Sequence, residues 1–242
     1  MSSLAPDHLI DMDVNEELKK YLMHYCATNV APGYAVMLRG PWGSGKTWFV
    51  ESLRKSLSEK LDMRSLYVSL YGVKNHSDVT DQFFQQIHPK LANKNVQKIW
   101  TLGKSFLKGT LKIDWDGDGK EDGTLQISIP DIEKWASTSG AILIFDDLER
   151  VGMELKDILG YINQFVEHGG YRVIVIANEE KCSEKLTGFP TIKEKVIGRT
   201  FEIKPNAFLA LDHFIGEIKE SKTAFEILKE RKDIILKVFN RS

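Results

Sequence analysis

The 242-residue chain has only two cysteines, Cys26 and Cys182. Two cannot build a disulfide framework, and they lack metal-site spacing, so a reducing interior is the expected setting. Net charge is also nearly absent: 33 Lys+Arg against 34 Asp+Glu leave −1 at pH 7. That balance exerts no global pull toward nucleic acid or an anionic membrane, although it is compatible with a local patch. The longest purely apolar runs, Ala141–Phe145 and Val173–Ala177, are about five residues, far short of the roughly 20 that span a bilayer. The start, Met1-Ser-Ser-Leu-Ala-Pro-Asp7, has neither the basic nor the apolar region of a secretory signal. Repeats and low-complexity tracts are missing as well. His24, His76, His88, His168 and His213 are scattered, and without a His-x-x-x-His or Cys-x-x-Cys pair a metal-hydrolase reading fails. What is present, 42% apolar and 28% charged residues, is globular composition. The expectation is a cytoplasmic protein with no membrane segment.

Periodicity supplies the organisation. Apolar positions over residues 8–27 predict a helix, and Tyr34-Ala-Val-Met-Leu38 reads as a buried strand. A helix follows from Lys46 to about Asp62, then a strand at Ser65–Leu70 and a helix capped by Asp78 that ends before Pro89. Residues 91–108 read as helix. Leu111, Ile113 and Trp115, then Leu125, Ile127 and Ile129, alternate with polar residues around a tract of turn formers, which predicts a β-hairpin inserted at about 109–130. A short helix from Asp131 leads to the strand Ala141–Phe145. Helix Leu155–Val166, strand Arg172–Ala177, strand Thr200–Ile203 and helices near 207–219 and 222–239 complete the chain. Strands that are apolar on both faces and separated by helices imply an α/β fold, a parallel sheet covered on both sides. We expect a core over 1–205 and a C-terminal helical segment over 206–242, the start of a lid or next domain. The last helix stops at Asn240-Arg-Ser242 without an obvious terminal element, so a longer natural protein is expected.

Gly40-Pro41-Trp42-Gly43-Ser44-Gly45-Lys46-Thr47 matches G-x-x-x-x-G-K-[ST] in full. Glycines let backbone N–H groups turn inward around phosphate oxygens, and the helix that follows aims its positive end at them. In this arrangement Lys46 reaches the β- and γ-phosphates and Thr47 ligates Mg²⁺. Trp42 offers a ring to a base or partner, or packs on the helix. The bare pattern arises by chance in roughly one chain in a hundred, but here a buried strand precedes it and an amphipathic helix follows.

Hydrolysis also needs an acid for the metal and a group that orients water. The strand Ala141–Phe145 runs into Asp146-Asp147, which places carboxylates at the sheet edge where open α/β folds bind ligands. Asp146 is the candidate Mg²⁺ acid, and Asp147 the candidate for polarising the attacking water, unless it orients Arg150 or caps the next helix. Asn178, at the end of the neighbouring strand, stands where a γ-phosphate sensor is expected, although Asn also suits an ordinary turn. Lys193, Lys195 and Arg199 cluster before the last strand, and Arg199 is a candidate arginine finger, in cis or toward a neighbouring subunit.

Pro32-Gly-Tyr-Ala-Val-Met-Leu-Arg-Gly-Pro-Trp-Gly-Ser-Gly-Lys-Thr47, Phe145-Asp-Asp-Leu-Glu-Arg150 and Lys193-Glu-Lys-Val-Ile-Gly-Arg199 together resemble the KAP family of P-loop NTPases, over residues 15–205. The resemblance implies a P-loop NTPase sheet of the ASCE type, in which the catalytic acid follows the metal acid's strand and the sheet order is 5-1-4-3-2. It implies ATP and Mg²⁺ as cofactors, and an ATPase module attached to an effector domain or protein, often in bacterial antiviral defence. Many members carry transmembrane helices between the two motifs. This chain departs from them, since residues 73–140 hold only polar helix and the hairpin, so no membrane association is expected.

Asp114-Trp-Asp116-Gly-Asp118-Gly119 copies half of a calcium loop, but Leu125 replaces the bidentate glutamate, so a solvated hairpin tip is expected. Three function classes remain: an ATPase that assembles as a homo-oligomer or remodels a partner, a small-molecule kinase, and a nucleotide-loaded scaffold. A kinase lid is arginine-rich, whereas residues 91–130 contain no arginine, and Asp147 favours turnover over the scaffold. No Asn-Lys-x-Asp motif is present to read guanine. The reading adopted is the ATPase.

Overall fold

A computed structural model of the chain describes residues 15–87, 109–113, 123–127, 142–217 and 222–239. Three strands, β1 (Ala35–Arg39), β5 (Ile142–Asp146) and β6 (Arg172–Ala177), are almost entirely buried. Such strands need partners on both sides, and they have them. The sheet is parallel with order β2-β5-β6-β1-β7, where β2 is Ser65–Ser69 and β7 is Ile197–Glu202. Counting only these five strands in chain order, this is the expected 5-1-4-3-2 arrangement. The two outer strands show their edge positions in sequence, β2 by alternation and β7 by polar residues after Ile197. β3 (Gly109–Ile113) and β4 (Gly123–Ile127) form a separate antiparallel ribbon with Leu111 opposite Leu125, the hairpin predicted from the change of period. Its tip at 114–122, with the calcium-like run, lies outside the described residues. So do the helices expected over 91–108 and from Asp131, and residues 8–14 of the first helix.

Alternate residues of each strand feed two cores. Val36 and Leu38, Ile142 and Ile144, and Ile174 and Ile176 face α1 (Glu16–Ala27) and α2 (Lys46–Leu61), meeting Leu22, Phe49 and Leu53. Met37, Phe145, Val173 and Val175 face the other way, toward α3 (His76–Ile87), α4 (Leu155–Asn163) and their neighbours. There Phe83 meets Phe145 edge-on at 5.7 Å and Phe165 at 6.0 Å, and Tyr161 meets Phe165 at 5.1 Å. Such aromatic pairs add about 0.5–1.5 kcal/mol each beyond the area they bury. The result is a three-layer sandwich whose strands all end on one side.

Local chemistry moved several boundaries. α3 starts two residues before Asp78, because Asn75 is its cap: Asn75 Oδ1 accepts from Asp78 N at 3.1 Å while Asp78 Oδ2 accepts from Asn75 N at 3.3 Å. The reciprocal pair is a capping box with aspartate in the glutamate's place. α4 passes into a single π-turn at Gln164–His168 before Gly169-Gly170 breaks it. β7 starts three residues earlier than the apolar pattern indicates. Gly198 forms a bulge, so that Ile197 pairs with Ala35 and Arg199 with Val36, and a Cβ there would meet the Tyr34 ring at 2.5 Å. Two helices absent from the sequence reading, α5 (Glu179–Lys185) and α6 (Phe189–Val196), fill the connection to β7. The C-terminal stretch divides into α7 (Ala207–Glu217), α8 (Lys222–Glu230) and α9 (Lys232–Phe239), with Lys232 tied to Asp212 at 2.5 Å.

Short α5 and α6 are held by charge as well as by packing. Glu179 receives Arg39, at the end of β1, at 2.9 Å and Lys193, from α6, at 2.5 Å. Burial alone would raise the Glu179 pKa, but the two cations together outweigh it and lower it. A lowered carboxyl contributes stability above its unfolded value and loses it as pH falls through the folded one. Glu179→Gln is therefore expected to cost about 1 kcal/mol at pH 7 in denaturant unfolding. The difference from wild type should shrink as pH falls below the usual carboxylate range and vanish only below the lowered folded value; an equal loss at neutral and at strongly acid pH would remove the electrostatic role.

Candidate nucleotide site

The loop between β1 and α2 extends the sheet by one bond, as Gly40 N–H donates to the Ala177 carbonyl at 3.2 Å. It then curls back: Ser44 N–H donates to Pro41 O at 3.3 Å, and Gly43 and Gly45 adopt left-handed φ of 78° and 85°. Gly45 is the N-cap of α2 and has no side chain to cover the first helical N–H groups, which are left to donate to another acceptor. The loop is tight as well. A Cβ on Gly40 would meet Ser44 Oγ at 2.6 Å, and among the described residues that buried hydroxyl has no hydrogen-bond partner. An uncapped helix N-terminus and an orphaned hydroxyl suit an anion. Lys46 Nζ donates to the carbonyls of Gly40 and Pro41, each at 2.8 Å. Burial lowers the Lys46 pKa, opposed by the nearby carboxylates of Glu149, Asp146 and Asp147.

Asp146, the last residue of β5, is 2% exposed and meets the loop directly. Its Oδ2 accepts from Thr47 Oγ1 at 3.0 Å and from Tyr67 Oη at 2.7 Å, and its Oδ1 accepts from Asp147 N–H at 2.7 Å. Burial raises its pKa, with these three donors pulling the other way. The Tyr67 phenol is itself pushed up by burial and by this carboxylate, and it stays a donor. Asp147 turns the chain in the left-handed region, φ 60° and ψ 40°, which aspartate tolerates better than most residues. That turn brings its carboxylate to Ser69 Oγ, which donates at 3.3 Å, and to Arg150, 3.5 Å away. The Arg150 guanidinium lies over the exposed Tyr71 ring at 4.1 Å.

The structure thus brings Gly40–Thr47, Asp146 and Asp147 together, with Asn178 at the rim. Asn178 ends β6, and its Oδ1 accepts from Lys181 N at 3.3 Å as the N-cap of α5. The cap uses its oxygen, whereas sensing a phosphate uses its amide N–H₂, so the two tasks are chemically compatible. Arg199 is not brought to the loop of its own chain. It lies within β7 rather than before it, opposite Val36 and three residues short of Arg39, roughly 10 Å back along the strand. Its side chain is exposed. Sequence reasoning missed Tyr67, Ser69 and Glu149. Tyr67 and Ser69 lie on β2 beside β5, a pairing no local pattern reveals, while Glu149 sits inside the acidic motif and was passed over. A cleft of about 760 Å³ opens beside the loop, between Gly40, Pro41 and Asn178 and the side chains of Glu179, Glu180 and Glu184.

A glycine loop from a buried strand into a helix, joined to an acid at the end of a non-adjacent strand, defines a P-loop NTPase fold of the ASCE order. The sequence matches the KAP family P-loop domain over residues 14–238, and the chain belongs to that family. None of the curated proteins matches it in sequence. Among solved structures it is similar to Cdc6p from Pyrobaculum aerophilum, with 14% identity, TM-score 0.49, and 89% of this chain and 51% of that one covered. It is also similar to C. elegans PCH-2, with 16% identity, TM-score 0.46, and 87% and 48% covered. The chain spans about half the length of these two proteins. AMPPCP-bound DnaA from Aquifex aeolicus is similar at 15% identity and TM-score 0.42, with 94% and 61% covered. Among the described residues, no helix is long and apolar enough to cross a membrane.

A buried carboxylate costs stability. With its folded pKa raised, Asp146 makes its most favourable contribution at low pH and loses it as pH rises through the folded value. Asp146→Asn keeps an acceptor for Asp147 N–H and offers N–H₂ to two hydroxyls. With chelator and no nucleotide, its melting temperature at pH 7 should rise by about 2–4 °C, and the gap should close toward pH 4. A lower melting temperature would mean that the three hydrogen bonds outweigh burial.

Proposed function

We propose that this chain is a Mg²⁺-dependent ATPase module, hydrolysing ATP to ADP and phosphate to drive assembly or remodelling of a partner. The observation that carries this reading is the 3.0 Å hydrogen bond from Thr47 to Asp146, which joins two motifs 99 residues apart. These hard oxygen donors fit Mg²⁺, which takes one or two carboxylates or hydroxyls and fills its octahedron with phosphate and water. When bound, the ion neutralises charge on the β- and γ-phosphates. Lys46 exchanges its two carbonyl partners for phosphate oxygens, and the loop N–H groups and Ser44 hold the rest of the anion. Asp147, oriented by Ser69, accepts a proton from the attacking water, and Asn178 donates to the γ-phosphate. Arg199, exposed on the edge strand, serves as a finger for a neighbouring copy in a homo-oligomer. Its position back along β7 favours that over action within its own chain. On the strength of the family, the module is part of a bacterial antiviral defence protein, coupled to an effector domain or protein; a cytoplasmic location rests instead on the short apolar runs of the sequence, in which the chain departs from the members that carry transmembrane helices.

Lys46→Ala should abolish ATP binding, or nearly so, in a titration calorimeter. Asp147→Asn should keep binding but lose turnover by about 10² or more, the size expected for a proton-accepting group; equal loss of binding would place Asp147 in the metal's shell instead. If Arg199 completes a neighbour's site, specific activity of the wild type should climb with protein concentration. A flat profile, or full activity in Arg199→Ala, would remove the finger.

A further inference from the structure

Glu149 is 3% exposed, and nothing in the chemistry proposed above uses it. Its two oxygens serve two separate elements. Oε1 accepts from the indole Nε1–H of Trp42, in the phosphate loop, at 3.0 Å, and Oε2 accepts from the backbone N–H of Asn178, at the end of β6, at 3.0 Å. Trp42 remains 64% exposed, so its large ring is placed at the loop rim less by burial than by this bond. Immediately after it, Gly43 has φ 78°, a conformation that lets the loop bend there. The left-handed turn at Asp147 starts the 3₁₀ turn Leu148–Arg150 that delivers Glu149 beneath the loop.

We propose that Glu149 is a positioning residue that fastens the phosphate loop, through Trp42, to the end of β6 where Asn178 stands. A carboxylate is suited to the position because it only accepts, and both groups facing it are donors. An amide cannot satisfy both, since its N–H₂ must oppose one of the two N–H groups. The link presets the loop's curvature before phosphate arrives, which favours binding by lowering the ordering cost. It also makes any displacement of the loop felt at Asn178 and at the start of α5. The nucleotide consequences rest on the ATPase reading above; the link itself does not.

Two variants test it. Trp42→Phe keeps a ring but removes its N–H, and Glu149→Gln keeps the shape but spoils one of the two bonds. Each should raise the Kd and KM for MgATP about tenfold, the loss of one charge-assisted bond, while kcat stays within about threefold. The double variant should be no weaker than the worse single one, because both cut the same link. A second readout needs no nucleotide. In the full chain labelled with 5-fluorotryptophan, the ¹⁹F resonance missing from Trp42→Phe identifies Trp42 among the five tryptophans. That resonance should shift in Glu149→Gln while the other four hold. Trp42 unmoved in Glu149→Gln, unchanged affinity in both variants, or losses that multiply to about 100-fold in the double variant would each overturn the proposal. Should wild type bind no nucleotide, the ATPase reading falls, and the ¹⁹F shift alone decides for or against the link.

Discussion

A single buried carboxylate organises the site. Asp146 sits almost inaccessible at the end of β5, and a charge in that position is tolerable only with donors around it. The donors come from three places: Thr47 at the start of α2, Tyr67 on β2, and the backbone of Asp147. Satisfying one carboxylate therefore fixes the phosphate loop, the edge strand and the exit of β5 relative to one another. The left-handed conformation of Asp147 follows from the same demand, because it turns the N–H back onto Asp146 and frees the second carboxylate to face Ser69.

Parallel strand order does the rest of the positioning. All five strands of the sheet run the same way, so β1, β5 and β6 release Gly40, Asp147 and Asn178 on one side of the sandwich. β1 and β5 are not neighbours; β6 lies between them. The gap between the loop and the acids is spanned by Thr47 to Asp146 and by Trp42 to Glu149, while Asn178 occupies the middle. On the far side of the loop, Glu179 is tied to Arg39 and Lys193, which sets α5 and α6 against the end of β1. The molecule thus has acid on both flanks of a loop built for an anion. Near α2, carboxylates draw the Lys46 charge and suit a divalent cation.

Much of this was legible in the chain because the relevant constraints are local. The glycine positions of the loop are dictated by backbone conformation and close approach, which leave no other residue type. Buried parallel strands leave apolar runs, and a run followed by acids marks where a strand reaches its exposed end. The alternation of Leu111 and Ile113 with Leu125 and Ile127 was enough for the hairpin, since register in a two-stranded ribbon is a matter of neighbours. α5 and α6 left no such trace. They are seven and eight residues long, too short for a stripe of apolar spacing to stand out, and the Arg39–Glu179–Lys193 cluster steadies them. The start of β7 was hidden by Gly198, a poor strand residue that pairing with β1 and the Tyr34 ring nonetheless require.

By itself, then, the sequence determined the phosphate loop, the acids at the end of β5, the parallel α/β class and, through family resemblance, the strand order. Each rests on a residue type that backbone geometry or burial demands at its own position. Only the tertiary structure decided the partners: that Tyr67 and Ser69 come from β2 to the acids, that Glu149 joins Trp42 to Asn178, and that Arg199 lies away from its own loop. Those contacts depend on which strands lie side by side and in what register, and a hydrogen bond across the sheet leaves no spacing in the chain to read.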